Sequence, residues 1–159
     1  MILIGYDGSE DARCAIAQAA TLMPGHPALV LTVWTQAESG LTGLRSGSTD
    51  SEWARADRAQ ADRAQAERAR AEGAAAEGAQ LAHQFGIDCA PCVRGHRGGV
   101  AEAILEEAMR VDAQAIVVGR GRGGGDEGLA ALPSALVARA RCAVLVARSA
   151  PAPARRAQG

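Results

Sequence analysis

Three groups of residues in this sequence have the types and spacing to do chemistry. The first is a glycine-rich run, Gly119-Arg120-Gly121-Arg122-Gly123-Gly124-Gly125, directly after the apolar run Ala-Ile-Val-Val. Glycines after a strand let backbone N–H groups approach phosphate oxygens with no Cβ in the way, and the Arg120 and Arg122 guanidiniums can fork onto the same oxygens. Asp126 and Glu127 follow and cancel that charge locally. The second group is Asp7-Gly8-Ser9, where a carboxylate can accept hydrogen bonds from a ligand, close a turn or cap a helix. The third is Cys89-Ala-Pro-Cys92 with His83 and His96 nearby, a set that suggests zinc or thiol redox work. Two cysteines three apart on a strand point to opposite faces, however, and a redox pair should open a helix whose dipole lowers the thiol pKa. This third group therefore reads as structural and no metal site is expected. No Ser-His-Asp set, His-Glu-x-x-His or nucleophile elbow is visible, so nothing recommends a hydrolase.

Elements that could hold these groups follow from the hydrophobic pattern. Residues 2–6, 28–34, 87–93, 113–119 and 143–147 are short runs, mostly rich in Val, Ile or Leu, bounded by Gly or polar residues, and they read as strands. Most are continuous rather than alternating, as expected where both faces of a parallel sheet are covered. Pro91 marks the third strand as an edge, where a missing N–H is tolerated. Helical patterns lie between them at residues 10–23, 51–84 and 100–110, with a shorter one ending near Arg139. Alternating strands and helices predict an α/β fold, an open doubly wound, Rossmann-like five-stranded parallel sheet with helices on both faces. Such sheets bind ligands beyond the C-terminal strand ends, where Asp7, Trp34 and the loop after Gly119 fall.

Composition narrows the function classes. Seventeen basic residues, all arginine, against eighteen acidic ones leave a formal net charge of −1, too little field to draw the chain to nucleic acid or an anionic membrane. No apolar run approaches the roughly 20 residues that cross a bilayer, and the opening residues lack the features of a signal peptide, so a cytoplasmic location is expected. Four cysteines in a chain long enough to bury a full core do not describe a disulfide scaffold. Cys14 and Cys142 fall on apolar faces and read as small core residues. Aromatic residues make up only 3% of the chain, so the core must be aliphatic and a large aromatic-lined pocket is not available.

Residues 56–80 divide into five pentads, ADRAQ, ADRAQ, AERAR, AEGAA and AEGAQ. Their composition predicts a helix. A five-residue step advances about 140° per repeat, so no position recurs on one face and no apolar stripe is expected. Over residues 51–84 the helix would run to roughly 50 Å, more than the width of a small domain, with Gly73 and Gly78 as the expected bends. Such a helix is either a solvated surface or a partner-binding arm. Residues 1–148 are expected to form one domain and 149–159 a disordered tail.

The opening Met-Ile-Leu-Ile-Gly-Tyr-Asp7-Gly8-Ser9-Glu10 resembles the start of the universal stress protein family, a strand ending in Asp-Gly-Ser before a helix. Val93-Arg-Gly95, residues 100–108 and Ala115-Ile-Val-Val-Gly119 are similar to that family's third strand, third helix and fourth strand, and Cys142-Ala-Val-Leu-Val-Ala-Arg148 to its last strand. The resemblance implies strand order 3-2-1-4-5, a regulatory rather than catalytic role, a homodimer through the last strand, and an adenine nucleotide such as ATP with Mg at the strand ends. It places Asp7 and Val33 on the adenine side and Gly119, Gly121, Gly124 and Ser134 at the phosphates, with Arg120 and Arg122 assisting. The family's Gly-x2-Gly-x9-Gly-Ser/Thr spacing is not met. Pro133 stands where the last glycine would be and supplies no N–H, while Ser134 could cap the last helix or reach a phosphate. The alternative is a homodimeric protein-interaction adaptor without nucleotide, acting through its dimer surface and the long helix. A slow ATPase is a third reading, weakened by the lack of an evident general base.

Overall fold

The computed structural model describes residues 1–35, 50–120 and 126–148. Five parallel strands, β1 (Ile2–Gly5), β2 (Ala28–Thr35), β3 (Cys89–His96), β4 (Ala115–Gly119) and β5 (Ala143–Ala147), form one sheet in the order β3-β2-β1-β4-β5. Between them run α1 (Glu10–Leu22), α2 (Asp50–Gln84), α3 (Val100–Arg110) and α4 (Asp126–Arg139). Central β1 pairs with β2 and β4, bringing Ile2 beside both Ala28 and Ala115. The order reverses between β1 and β4, which leaves a crevice at their C-terminal ends. β3 is an edge, as Pro91 predicts, and it pairs with β2 over its full eight residues.

Two apolar layers fix the sheet between its helices. Ile2, Ile4, Val30 and Val117 pack with Ala12, Ala15, Ile16 and Ala82 on the face of α1 and α2. Leu3, Leu31, Ile116 and Val118 pack with Ile104, Leu105 and Leu136 on the face of α3 and α4. Successive side chains of one strand enter opposite layers, which is why the strand sequences carry no alternation. Cys89 and Cys92 divide in the same way, Cys89 toward the first layer and Cys92 toward the second. Cys142 packs against the second layer.

The pentad helix departs from its expected character. It runs without interruption through Gly73 and Gly78, and its second half does carry a stripe: Ala71, Ala75, Gly78, Ala79 and Ala82 are buried at helical spacing. The five-residue repeat alone gives no stripe, but small residues are so dense here that one face is filled by them regardless of repeat position. Between Arg55 and Arg70 every side chain is exposed except the half-buried Gln60 and Ala64. The pentads set Arg58 against Asp62, Arg63 against Glu67 and Arg68 against Glu72 at i,i+4, and of these Arg68 and Glu72 close at 2.9 Å.

The two helical glycines have opposite roles. A Cβ at Gly78 would stand 2.8 Å from the Tyr6 ring and 2.9 Å from Val30 Cγ1, whereas one at Gly73 would meet nothing within 4 Å. Gly73→Ala is therefore expected to stabilise the protein by up to about 1 kcal/mol through helix propensity. In Gly78→Ala the same gain is offset by an overpacking cost of about 1–3 kcal/mol. Urea denaturation should show shifts of opposite sign; equal shifts would mean that α2 does not seat against β1 and β2 as described.

Candidate functional site

β1 ends at Gly5, and the chain turns through Asp7 and Gly8 into α1. Ser9 N–H donates to Asp7 Oδ1 at 2.9 Å, and Gly8 has φ 79°, a left-handed conformation that favours glycine. The cap of α1 is Ser9, whose Oγ accepts from Ala12 N at 3.2 Å, and Glu10 and Asp11 complement the helix dipole. Asp7 is thus a turn residue, not the cap. Its Oδ1 is held by the turn, which orients the exposed carboxylate with lone pairs to spare.

Beyond the strand ends lies a cavity of about 260 Å³. Asp7, Ser9 and Ala12 border it from the β1–α1 turn, Leu31 and Val33 from β2, Val118 and Gly119 from β4, Val100 and Ile104 from α3, and Leu132 from α4. The walls are mostly hydrocarbon, with Asp7 and Ser9 as the polar side chains at the edge. A planar apolar group fits such walls, and Asp7 can accept hydrogen bonds from its N–H or O–H groups.

Of the residues singled out in the sequence, Asp7, Val33 and Gly119 meet in this cavity. Arg120 is exposed just past β4, where its N–H donates to Ala147 O at 2.7 Å, and it does not line the cavity. Gly121, Arg122 and Gly124 lie outside the described residues. Ser134 is exposed in the interior of α4, eight residues after the helix begins, so it is not the cap of that helix; among the described residues of α4, Leu132 reaches the cavity. Gly119 also has a packing role. A Cβ there would lie 2.6 Å from Ala12 N and Asp11 C, so its absence lets the first turn of α1 cross the end of β4.

Polar clusters that sequence reasoning did not find support the cavity. Tyr6 donates from its hydroxyl to Glu77 Oε1 at 2.9 Å, and Arg13 Nη2 donates to the same oxygen at 2.7 Å, tying β1 and α1 to α2. Burial, then the Glu77 hydrogen bond, raises the Tyr6 pKa. Thr32 Oγ1 donates to Tyr6 O at 2.8 Å and fixes the end of β1 to β2. At the top of β3, His96 Nδ1 accepts from Gly98 N at 2.8 Å and Gly99 N at 3.1 Å, ordering the turn that delivers Val100 and Ile104. Both acceptor contacts require that Nδ1 carry no proton.

Below that turn, Glu107 is only 3% exposed and accepts from Arg94 Nε at 2.7 Å and Arg110 Nε at 2.9 Å, with further contacts to Arg94 Nη2, Arg110 Nη2 and the Cys92 thiol. The Arg110 hydrogen bond leads, over opposing desolvation and with Arg94 assisting, in lowering the Glu107 pKa to about 2. Desolvation, then the adjacent Glu107 carboxylate, raises the Cys92 pKa, so this thiol is not an activated nucleophile. Cys89 lies 3.9 Å from His83 Nε2, and burial raises its pKa as well.

Residues 1–148 match the Universal stress protein family. The chain belongs to that family. Solved structures share its fold across nearly their whole length. The hypothetical protein MJ0577 has a TM-score of 0.71 at 15% identity over 95% of this chain and 96% of its own. The universal stress protein UspA from Lactobacillus plantarum has 0.64 at 21% over 92% and 96%. A universal stress protein from Archaeoglobus fulgidus in complex with dAMP has 0.59 at 15% over 92% and 95%. Other similar structures are universal stress proteins with cAMP and, from Arabidopsis thaliana, with AMP. No curated protein matches the chain. At these identities the structures establish the fold, and the strand order agrees with the one the resemblance implies.

Proposed function

We propose that this universal stress protein is a regulatory module that binds an adenine nucleotide at the C-terminal strand ends. The observation that carries this reading is the convergence of Asp7, Val33 and Gly119 on one hydrocarbon-walled cavity at the point where strand order reverses. Base and sugar sit against Leu31, Val33, Val118 and Ile104, and Asp7 accepts hydrogen bonds from the nucleoside. The phosphates extend toward the chain after Gly119, where Arg120 stands and Gly121, Arg122 and Gly124 follow in sequence. AMP, dAMP and cAMP accompany similar structures, which supports an adenine nucleotide, and ATP with Mg is tested beside AMP. The role is regulatory rather than catalytic. No described helix is long and apolar enough to cross a membrane, in keeping with a cytoplasmic site of action.

Homodimerisation through β5 belongs to the same reading. Among the described strands this edge strand pairs with β4 alone, and Val146 on it is 38% exposed. Unpaired N–H and C=O groups beside exposed valine suit pairing with a second copy. Val146→Arg should convert the dimer to a monomer in light scattering.

Calorimetry with Mg·ATP and AMP is the direct test of the site. Micromolar binding, about −8 kcal/mol, is expected for one of them, and Asp7→Ala should weaken it at least tenfold. Asp7 is exposed, so the substitution should leave the fold intact. Absence of heat and of thermal shift at millimolar nucleotide would leave the second reading, an interaction adaptor, which the exposed stretch of α2 from Arg55 to Arg70 favours. Removing residues 56–70 takes out about four helical turns ahead of the buried stripe. A nucleotide module keeps its ligand after that deletion; an adaptor loses its protein partner.

A further inference from the structure

A second cavity, of about 390 Å³, opens at the opposite end of the sheet, between the C-terminal ends of α3 and α4 and the starts of β4 and β5. Its buried lining is hydrocarbon, from Leu105, Ala108 and Ile116, and its rim carries Asp112, Arg139 and Arg141. The volume falls in the lower part of the range of small-molecule sites, about 300–1,000 Å³.

The rim charges differ in availability. Arg139 donates to Glu102 at 2.7 Å, which neutralises it. Neither Asp112 nor Arg141 makes a side-chain hydrogen bond or ion pair among the described residues. Asp112 is also the one described residue other than glycine with a positive φ, 49°, at the position after α3 where glycine is the usual choice. Its N–H bonds Met109 O and the Ala113 N–H bonds Ala108 O, so these two carbonyls at the end of α3 are partnered within the chain. The site therefore presents one free carboxylate, one free guanidinium and an apolar floor.

We infer that this cavity binds a free α-amino acid with an apolar side chain, of the leucine or phenylalanine class. The α-carboxylate pairs with Arg141, the ammonium pairs with Asp112, and the side chain lies over Leu105 and Ile116. A simple fatty acid would leave Asp112 facing a second negative charge, and an amine would leave Arg141 without a partner, so the zwitterion is the complementary ligand. The cavity lies at the other end of the sheet from the nucleotide pocket and shares no lining residue with it, so neither proposal depends on the other.

The test uses Cys142, which lines this cavity, as reporter and Cys89, on the other face of the sheet, as control. L-leucine or L-phenylalanine should slow iodoacetamide alkylation of Cys142 saturably and leave Cys89 unchanged, read by peptide mass spectrometry. Asp112→Gly and Arg141→Ala should each weaken the protection about tenfold or more. Asp112→Gly places the preferred residue at the left-handed position, so its melting temperature should match or exceed the parent's, and lost protection is then lost binding rather than unfolding. 4-Methylpentanoate, which is leucine without the ammonium, should bind at least about tenfold more weakly. The inference is overturned if neither amino acid protects Cys142 at millimolar concentration. It is equally overturned if 4-methylpentanoate protects as well as leucine, or if Asp112→Gly retains full protection.

Discussion

Acidification between about pH 5 and pH 2 is expected to remove on the order of 2–3 kcal/mol of stability through Glu107 alone. In the folded chain the Arg110 and Arg94 hydrogen bonds hold its pKa at about 2, against 4.5 for an ordinary glutamate. A carboxylate whose folded pKa is depressed contributes fully above its unfolded value and loses that contribution as pH falls through the folded value. The full shift would be worth about 3.4 kcal/mol. The lower value allows for Arg94 and Arg110, whose side chains are 43% and 57% exposed and partly screened. Glu107→Gln keeps the shape but faces two guanidiniums with an amide that donates as well as accepts. It should be less stable than the parent near neutrality by a similar amount, and the two curves should converge near pH 2. Equal acid limbs in urea denaturation would show that the carboxylate does not hold its arginines in solution.

Much of the fold is legible because the central strands β1 and β4 are buried on both faces. The apolar runs at 2–5 and 115–119 sit inside the covered part of the parallel sheet, the run at 143–147 forms one edge with Val146 partly exposed, and Pro91 identifies the other edge. Helix α3 matches its sequence reading at both ends because the glycines before Val100 and the turn after Arg110 punctuate it. The strands at 87–93 and 113–119 are less well bounded. Gly86 at φ 78° ends α2, and the chain enters β3 only at Cys89, after Ile87 has already joined the core. Hydrophobicity marks burial there, and burial begins before the ladder does. The pentad helix misleads for a related reason: repeat period governs an apolar stripe only when few positions are small or apolar. Here alanine occurs at so many positions that tertiary packing selects a face.

The site is legible in part. Asp7 and Gly119 stand at strand ends, so locating the strands locates them, and Val33 follows from β2. The resemblance implies a phosphate role for Ser134, but α4 begins at Asp126 and carries Pro133 within it, so the serine falls in mid-helix. The Glu107 cluster is invisible to motif reading because its members come from β3 and α3. A signal was nonetheless present: Glu107 occupies a core-facing position of α3 beside Ala103, Ile104 and Ala108, and a buried carboxylate demands cations. Arg110 lies three residues on, and Arg94 shares a strand face with Cys92.

Gly119→Ala should be the most damaging single-methyl change in the described chain, costing about 3 kcal/mol and lowering the melting temperature by roughly 10 °C. The added Cβ would lie 2.6 Å from Ala12 N, 2.6 Å from Asp11 C and 2.9 Å from Asp11 O. All three are backbone atoms, so no side chain can swing aside. Relief requires α1 to lift from β4 or β4 to shift against β1 and β5. Ala12 and Ala15 are buried in that contact, and Ser9 caps the same turn, so lifting α1 would also disturb the loop that holds Asp7. Stability and nucleotide affinity should therefore fall together in this variant, whereas Asp7→Ala should lower affinity alone. Differential scanning calorimetry beside ligand titration separates the two demands on Gly119. A variant that melts with the parent yet loses nucleotide would assign the glycine to phosphate approach instead of helix packing. One that loses stability first ties the loop after β4 to the seating of α1, and makes the geometry of the strand ends a consequence of how closely that helix can lie.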